Sequence, residues 1–206
     1  MTPQAVPDEA AVDVAFAVDG QSLPRDHAQA LADALDMRLP WLRGHPTAGV
    51  HGIKLVPGGE PQGWLSRRAR LLLRVPQSRV RALAPLDGCT LAVAGSALRL
   101  GRAKPHELVP HATLYAYFVA ADGDDEAQFM AMVHDEMARL GVHALAVCGK
   151  RQQRQCAAGA LNGFSLMLHQ LSPADSLTLL RLGLGPHRHL GCGLFVPHKS
   201  AAAVGA

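Results

Sequence analysis

The sequence predicts an α+β fold in which one βαββαβ unit occurs twice along the chain. Apolar residues alternate with polar or small ones in several short segments, as they do in half-buried strands, and recur every three to four residues in the segments between them. The order strand, helix, strand, strand, helix, strand occurs once in residues 1–103 and again in residues 104–206. A chain of 206 residues is long enough for two such domains.

The first unit begins with a strand at 12–18, where Val and Phe alternate with small or acidic residues. We expect the next helix to start at Pro24, which suits a first helical turn, with Asp26 serving the free amides there. The helix ends before Pro40. Strands at 49–56 and 67–75, a short helix at 77–86 and a bent strand or hairpin at 89–100 complete the unit.

The second unit follows the same order after a connector at 101–110. We expect a strand at 114–119 and then a helix that starts with acids at 124–126, where the helix dipole favours them, and stops at Gly141. Strands at 143–148 and 164–171 are separated by a polar, basic loop. Ser172 and Pro173 are typical of a helix start, and 194–197 is the last strand. The sequence therefore predicts tandem ferredoxin-like (RRM-like) domains with a C-terminal glycine-rich loop at 183–193.

The composition is that of a globular protein, with 49% hydrophobic and 18% charged residues. The longest nearly apolar run, 112–121, is far shorter than the roughly 20 residues of a membrane span. The first residues have no basic region followed by an apolar core, so we expect a cytoplasmic protein without a membrane partner. Four dispersed cysteines without a C-x-x-C pair predict reduced thiols, and we expect no metal and no cofactor.

The formal net charge is only +3, but the charges are arranged in blocks. Residues 37–121 and 137–206 are basic, whereas residues 1–36 and 122–136 are acidic. Basic regions on a protein of modest net charge favour a polyanionic ligand held on one face. The alternative is that the preference for Arg over Lys reflects codon bias.

The glycine-rich loop is the segment with the most specific pattern. It does not match a dinucleotide fingerprint, because Arg188 stands where a third Gly is required and the segment leads from a helix to a strand. Glycines let backbone amides approach a ligand closely, and the basic side chains add donors. We expect a sugar-phosphate backbone to bind there; a helix stop followed by a tight turn is the alternative. The candidate residues are Gly183, Gly185, His187, Arg188, His189, Gly191 and Gly193.

The loop and the tail after it, through Ser200, resemble the C-terminal segment of the CRISPR repeat-processing endoribonucleases of the RAMP superfamily found in type I systems. Segments 23–27 and 66–70 support the resemblance. It implies that the chain binds the repeat of pre-crRNA and cuts it without a metal, leaving a 2′,3′-cyclic phosphate. It also implies RNA contacts by His198 and Lys199, and partnership with the crRNA and with other CRISPR effector-complex subunits.

Such a cut requires a base for the ribose 2′-OH, an acid for the 5′-oxygen and cations for the phosphorane. His27 is the first candidate base, because a position at a helix start favours the neutral imidazole. The resemblance also implies a catalytic His in the first helix of the first domain. His51 is the second candidate and His45 the third. The alternative for His27 is a histidine that merely fills a helix start.

Two groups of basic residues are candidate RNA contacts. Period-2 alternation places Arg68, Arg70 and Arg74 on one face of the strand that Arg67 begins, and we expect this face to be open. The basic loop of the second unit is expected to contact a hairpin stem through Lys150, Arg151 and Arg154. A solvated strand face and a disordered loop are the alternatives.

Two other functions remain open at the level of sequence. A RAMP subunit could bind guide RNA without cutting it. Alternatively, His111-Ala112-Thr113 and His198-Lys199-Ser200 are His-x-Thr/Ser motifs in different halves, as in the 2H phosphoesterases. The position of the second motif near the C-terminus disfavours that arrangement.

Overall fold

The computed structural model describes residues 9–56 and 61–198, and the chain divides between Glu107 and Leu108 into two compact units. Residues Lys104–Glu107, which the sequence assigned to the second domain, form a strand that pairs with the first strand of unit 1. The fold of each unit is α+β, as predicted.

Within its described residues, unit 1 contains one α-helix, one 3₁₀ helix and eight strands. In chain order these are β1 (Ala11–Asp19), β2 (Ser22–Pro24), α1 (Ala28–Asp36), β3 (Gly49–His51), β4 (Gln62–Trp64), β5 (Arg70–Pro76), the 3₁₀ helix (Gln77–Leu86), β6 (Thr90–Val93), β7 (Ser96–Leu100) and β8 (Lys104–Glu107). The main sheet has the order β3-β5-β1-β7-β6, with β8 paired to β1. With the β6–β7 hairpin in the place of the fourth strand, this is the strand order of the ferredoxin-like fold predicted from the sequence.

The core of unit 1 is built on alternate residues of its two central strands, β1 and β5. Val14 and Phe16 of β1 are buried, as are Leu71 and Leu73 of β5 opposite them. Leu31 and Leu35 of α1 lie in the same hydrophobic cluster. The helix therefore covers one face of the sheet, and the alternate residues of β1 and β5 lie on the other face.

Unit 2 repeats this plan with fewer elements. They are β9 (Thr113–Ala121), α2 (Glu126–Leu140), β10 (Leu145–Cys156), β11 (Gly159–His169), α3 (Pro173–Leu182), a 3₁₀ turn (Arg188–Leu190) and β12 (Phe195–Pro197). The sheet order is β10-β11-β9-β12. In the described part of the chain, no helix has the length and apolar composition needed to cross a membrane.

The predicted signals at the ends of α2 and α3 are confirmed. The carboxylate of Asp125 accepts hydrogen bonds from the first amides of α2, and Gly141 ends that helix with a φ of 67°. The hydroxyl of Ser172 accepts a hydrogen bond from the amide of Asp175 at 3.1 Å, with Pro173 in the first turn of α3.

The first helix begins later than the sequence predicts. Pro24 belongs to β2, which pairs with β4, so α1 starts at Ala28 and His27 is its N-cap residue. The side chain of His27 itself makes no capping hydrogen bond at this end of the helix. The predicted strand at 49–56 is also shorter, because regular pairing with β5 ends at His51.

The predicted basic loop of unit 2 is a β-hairpin. Strands β10 and β11 pair from Leu145↔His169 to Cys156↔Gly159, with a bulge between Cys148 and Arg151. In the outer half of this hairpin, residues 150–155 of β10 are all polar and residues 159–163 of β11 are mostly small, so hydrophobic alternation could not reveal it. The hairpin is stabilised by its backbone pairing. The side-chain Nε2 of Gln153 also donates a cross-strand hydrogen bond to Oδ1 of Asn162 at 3.1 Å.

Gly193→Ala should destabilise unit 2. A Cβ at this position would lie 1.7 Å from the backbone oxygen of Leu184, and the φ of +65° is unfavourable for a residue with a side chain. We expect the free energy of unfolding to fall by about 3 kcal/mol or more in urea denaturation. The matched control is Gly123→Ala, where no atom lies within 4 Å of the added Cβ. Equal unfolding midpoints for the two variants would contradict this packing.

Candidate functional site

His27 is held by the backbone on both sides of its ring. Its Nδ1 lies 2.9 Å from the carbonyl oxygen of Pro24, and its Nε2 accepts a hydrogen bond from the amide of Ile53 at 3.1 Å. Because an amide N–H only donates, the lone pair is on Nε2 and the proton on Nδ1, which donates to Pro24. The residue is only 6% exposed, so the ring of this candidate base is buried.

His51 lies on the sheet face opposite the core, beside an acidic partner. Its Nε2 is 3.9 Å from Oδ1 of Asp13. Both side chains are mostly buried, with 11% of His51 and 16% of Asp13 exposed. The Nε2 of His27 bonds to Ile53, two residues beyond His51. His27 therefore contacts the short segment, 51–53, that also contains His51.

Arg74 does not lie on an open face. The prediction that it contacts RNA is wrong, because its side chain is buried. Its guanidinium binds Asp13 through two parallel bonds of 2.8 Å, from Nε to Oδ1 and from Nη2 to Oδ2. The residue is 0% exposed. The alternation was predicted correctly, but Asp13 lies directly opposite Arg74 on β1 and pairs with it.

The other arginines of this segment are exposed. Arg67 and Arg68 lie in the turn before β5, and Arg70 is its first residue. The amide of Arg68 donates to the hydroxyl of Ser66 at 3.2 Å, and Nη1 of Arg70 donates to the carbonyl of Ala69 at 2.8 Å. The predicted basic surface is therefore limited to the beginning of the strand.

His45, the third candidate base, lies in a small aromatic cluster. Its ring packs edge-on against Trp41 with centroids 5.9 Å apart, and the guanidinium of Arg79 lies 5.4 Å from the centre of the Trp41 ring. Burial, and secondarily the positive charge of Arg79, lower the pKa of His45 below its usual value. The structure does not connect it by any described contact to His27 or His51.

The amides of the glycine-rich loop are largely used inside the protein. The amide of Leu184 donates to the carbonyl of Gly193, that of Gly193 to the carbonyl of Phe118, and that of Gly185 to the carboxylate of Glu136. Those of Gly183, Gly191 and Cys192 are likewise bonded to backbone carbonyls. The expectation that glycines here expose amides to a ligand is therefore wrong for these positions, because positive φ values fold the loop onto itself.

Arg188 caps the end of α3 instead of facing a ligand. Its guanidinium donates to the carbonyl oxygens of Leu182 and, at 3.1 Å, Arg181, and the residue is 8% exposed. These carbonyls lie in the last turn of the helix, where no further amide is available. Its predicted role as a cationic donor to RNA is replaced by this structural one.

The remaining polar groups of the loop differ in exposure. His187 is exposed and His189 is half-buried, with ring centroids 6.1 Å apart. Cys192 is buried, and burial raises the pKa of its thiol to about 12. A cavity of about 220 Å³ beside the loop has an acidic lining that includes Asp122, Asp125 and Glu136. The negative charge of this lining does not favour a phosphate.

The basic residues of β10 have separate environments. Arg151 pairs with Asp124 at 2.6 Å, with both side chains more than half exposed. The guanidinium of Arg154 lies 4.2 Å over the Phe118 ring, and its Nη1 donates to the carbonyl of Leu190 at 3.3 Å. Lys150 is exposed at the bulge. Arg154 is therefore half-buried against its own unit, while Lys150 and Arg151 are exposed.

The C-terminal motif is only partly within the described residues. His198 is exposed, its amide donates to the carbonyl of Thr113 at 3.1 Å, and its ring centroid is 5.4 Å from that of Tyr115. Lys199 and Ser200 lie outside the described residues. Among the residues that are described, no group of three or more His, Cys, Asp or Glu side chains could hold a metal ion.

Sequence reasoning did not single out Asp13 or Trp64. Asp13 became significant only through its register with Arg74. Trp64 is 55% exposed on β4, and the signal available was a tryptophan placed just before three arginines at 67, 68 and 70.

Comparison with known proteins agrees with the duplicated architecture. Residues 12–200 match the family described as Cas6 Crispr. The chain is 37% identical over 194 residues to the CRISPR-associated endonuclease Cas6 of Myxococcus xanthus, covering 94% of this chain and 84% of that protein.

Solved structures show the same fold at low sequence identity. A CRISPR-associated protein Cas6 superposes with a TM-score of 0.66 at 11% identity, over 93% of this chain and all of that one. Thermus thermophilus Cse3, bound to an RNA representing a pre-cleavage complex, superposes with a TM-score of 0.51 at 16% identity, over 91% and 98% of the two chains.

Arg74→Ala should destabilise the protein because it leaves the Asp13 carboxylate in place without its bidentate partner. We expect a loss of about 3 kcal/mol in the free energy of unfolding, measured by urea denaturation. Arg68→Ala is the control and should change it by less than about 0.5 kcal/mol, since Arg68 is exposed. Unchanged stability of the Arg74 variant together with weaker RNA binding would restore Arg74 as an RNA contact.

Proposed function

Since this chain belongs to the Cas6 family of CRISPR-associated endonucleases, we propose that it binds the repeat of CRISPR precursor RNA and cuts it once without a metal ion. The observation that carries the proposal is the 37% identity to a CRISPR-associated endonuclease across 94% of the chain. The two ferredoxin-like units support it, because they are the fold of solved Cas6 and Cse3 proteins.

The proposed reaction uses the nucleophile that RNA already carries. The 2′-oxygen attacks the adjacent phosphorus while the bond to the 5′-oxygen breaks, so the products are a 2′,3′-cyclic phosphate and a 5′-hydroxyl. A base must take the 2′-OH proton, and an acid must protonate the departing 5′-oxygen. Cationic donors stabilise the charge that develops on the phosphorane.

His27 is the proposed base. The bond from Nδ1 to Pro24 orients the ring and leaves the proton-accepting lone pair on Nε2. In the described state the amide of Ile53 occupies that lone pair. A substrate 2′-OH would take the place of this amide as the donor to Nε2, so RNA binding must move segment 51–53 away from the ring.

His51 is the alternative base. The carboxylate of Asp13 near its Nε2 favours a protonated ring after proton transfer. Arg74 already holds that carboxylate through both oxygens, which fixes its position. His51 lies on the segment, 51–53, that must move to expose Nε2 of His27. Whether the base is His27 or His51, the scissile phosphate is therefore expected in the same region of unit 1.

Exposed cations on each unit are the proposed RNA contacts. In unit 1 these are Arg67, Arg68 and Arg70. In unit 2 they are Lys150 and Arg151 on the hairpin, with His187, His189 and His198 contributing hydrogen bonds. Lys199 joins this set from the family resemblance of the tail. Binding to other subunits of a CRISPR effector complex is the second partner that we propose.

Cleavage of the cognate repeat should proceed in excess EDTA, because the proposed chemistry draws on protein side chains and the substrate's own hydroxyl. A single 2′-deoxy substitution at the cut site should abolish cleavage while leaving binding intact. Both are measured with end-labelled repeat RNA on denaturing gels and by filter binding. A requirement for Mg²⁺, or cleavage of the deoxy substrate, would contradict the mechanism.

His27→Gln should lower the single-turnover rate by about 100-fold or more, because it removes the base. The Gln amide oxygen can still accept the hydrogen bond from Ile53, so unfolding and repeat binding should change little. The matched variant is His51→Gln, which we expect to retain cleavage. The opposite pattern would move the base to His51. Normal cleavage by both variants would place the base at another residue, whereas no cleavage by the wild type would favour a subunit that binds RNA without cutting it.

A further inference from the structure

Trp64 presents its side chain outward from a small two-stranded sheet. On β4, Gln62 and Trp64 are exposed while Gly63 between them is buried, and on β2, Leu23 is buried opposite Gly63. Trp64 is 55% exposed and is one of only two tryptophans in the chain. The indole therefore contributes little to the core of unit 1, although tryptophan is the largest apolar side chain available for packing.

A single exposed apolar residue is ordinary by itself. The surroundings of Trp64 distinguish it. The three described segments around it, 22–27, 52–56 and 61–68, carry four exposed cationic side chains and one acidic side chain, Asp26. The cations are Arg25, Lys54, Arg67 and Arg68. An aromatic platform within a cationic surface is the arrangement by which proteins hold unpaired nucleotides, with the bases stacked and the phosphates neutralised.

The same backbone segments that carry Trp64 also hold the ring of His27. Pro24 of β2, which accepts the bond from Nδ1 of His27, pairs with Gln62 of β4. Val56 bridges to Trp64, three residues after Ile53, whose amide bonds to Nε2. The platform and the proposed base are thus built on one short piece of β-structure.

We propose that Trp64 stacks on an unpaired base of the repeat RNA next to the phosphate that is cut. This rests on the proposed function, since the adjacent phosphate is located by His27. Stacking there would hold the nucleotide in place while its neighbour enters the region of segment 51–53. The occupant is a nucleobase instead of an apolar protein surface, because the described segments that flank Trp64 carry four exposed cationic side chains. Among the described residues of these segments, Val56 is the one other exposed large apolar side chain.

The first test uses tryptophan fluorescence. Trp41→Phe leaves Trp64 as the single tryptophan, and the titrant is repeat RNA with a 2′-deoxy nucleotide at the cut site. We expect quenching of the Trp64 emission and lower accessibility to acrylamide at RNA saturation. Full RNA binding, confirmed by filter binding, with unchanged emission and unchanged acrylamide quenching would overturn the proposal.

The second test distinguishes base stacking from a general contribution of an apolar side chain at position 64. Trp64→Leu keeps an apolar side chain but removes the π-face, and we expect repeat affinity to fall by about 5- to 150-fold, which corresponds to the loss of one base stack. Trp64→Phe should recover most of it. Because the indole is exposed, the unfolding midpoint of both variants should match the wild type. Equal affinities of the wild type and the Leu variant would overturn the proposal.

The third test locates the base. Abasic substitutions are placed one at a time along the repeat, and affinity is measured with wild type and with Trp64→Leu. The abasic position next to the cut should weaken binding to wild type and have no further effect on the Leu variant. A coupled position far from the cut would overturn the location next to the scissile phosphate. Wild type that neither binds nor cuts the repeat would instead overturn the proposed function.

Discussion

The bidentate pair between Asp13 and Arg74 determines how the central strands of unit 1 are aligned. Its two parallel bonds require these residues to lie directly opposite each other on β1 and β5. A slip of one residue would separate the charges and would turn the hydrophobic side chains of one strand away from α1. Arg74 also lies opposite Gly49, so the same register positions β3 and, with it, His51.

His27 links this framework to a second, smaller sheet. One ring nitrogen bonds to β2 through Pro24, and the other bonds to the segment after β3 through Ile53. A neutral imidazole is suited to this place because it donates at one nitrogen and accepts at the other, which satisfies two backbone groups at once. The hydrogen bonds that orient the ring therefore also shield it from solvent. A substrate must replace one of the two backbone groups as the partner of the ring.

The basic residues divide into two kinds that look alike in the sequence. Arg74, Arg154 and Arg188 use their guanidinium groups inside the protein, against a carboxylate, an aromatic ring and helix-end carbonyls respectively. Arg67 and Arg68 have exposed side chains. The planar, multivalent guanidinium serves both purposes equally well, so an arginine-rich pattern overstates the size of the surface available to a polyanion.

The sequence by itself determined the duplicated βαββαβ order, the ends of α2 and α3, and the resemblance that leads to the Cas6 family, because these depend on local periodicity, caps and a specific glycine-rich motif. It did not show the outer part of the β10–β11 hairpin, where a run of polar residues on β10 pairs with mostly small residues on β11. Only the tertiary structure decided which arginines are buried and which nitrogen of His27 accepts a hydrogen bond. Those properties depend on partners distant in the chain: Asp13 is 61 residues from Arg74, and Ile53 is 26 from His27. No local pattern carries the register that brings such residues into contact.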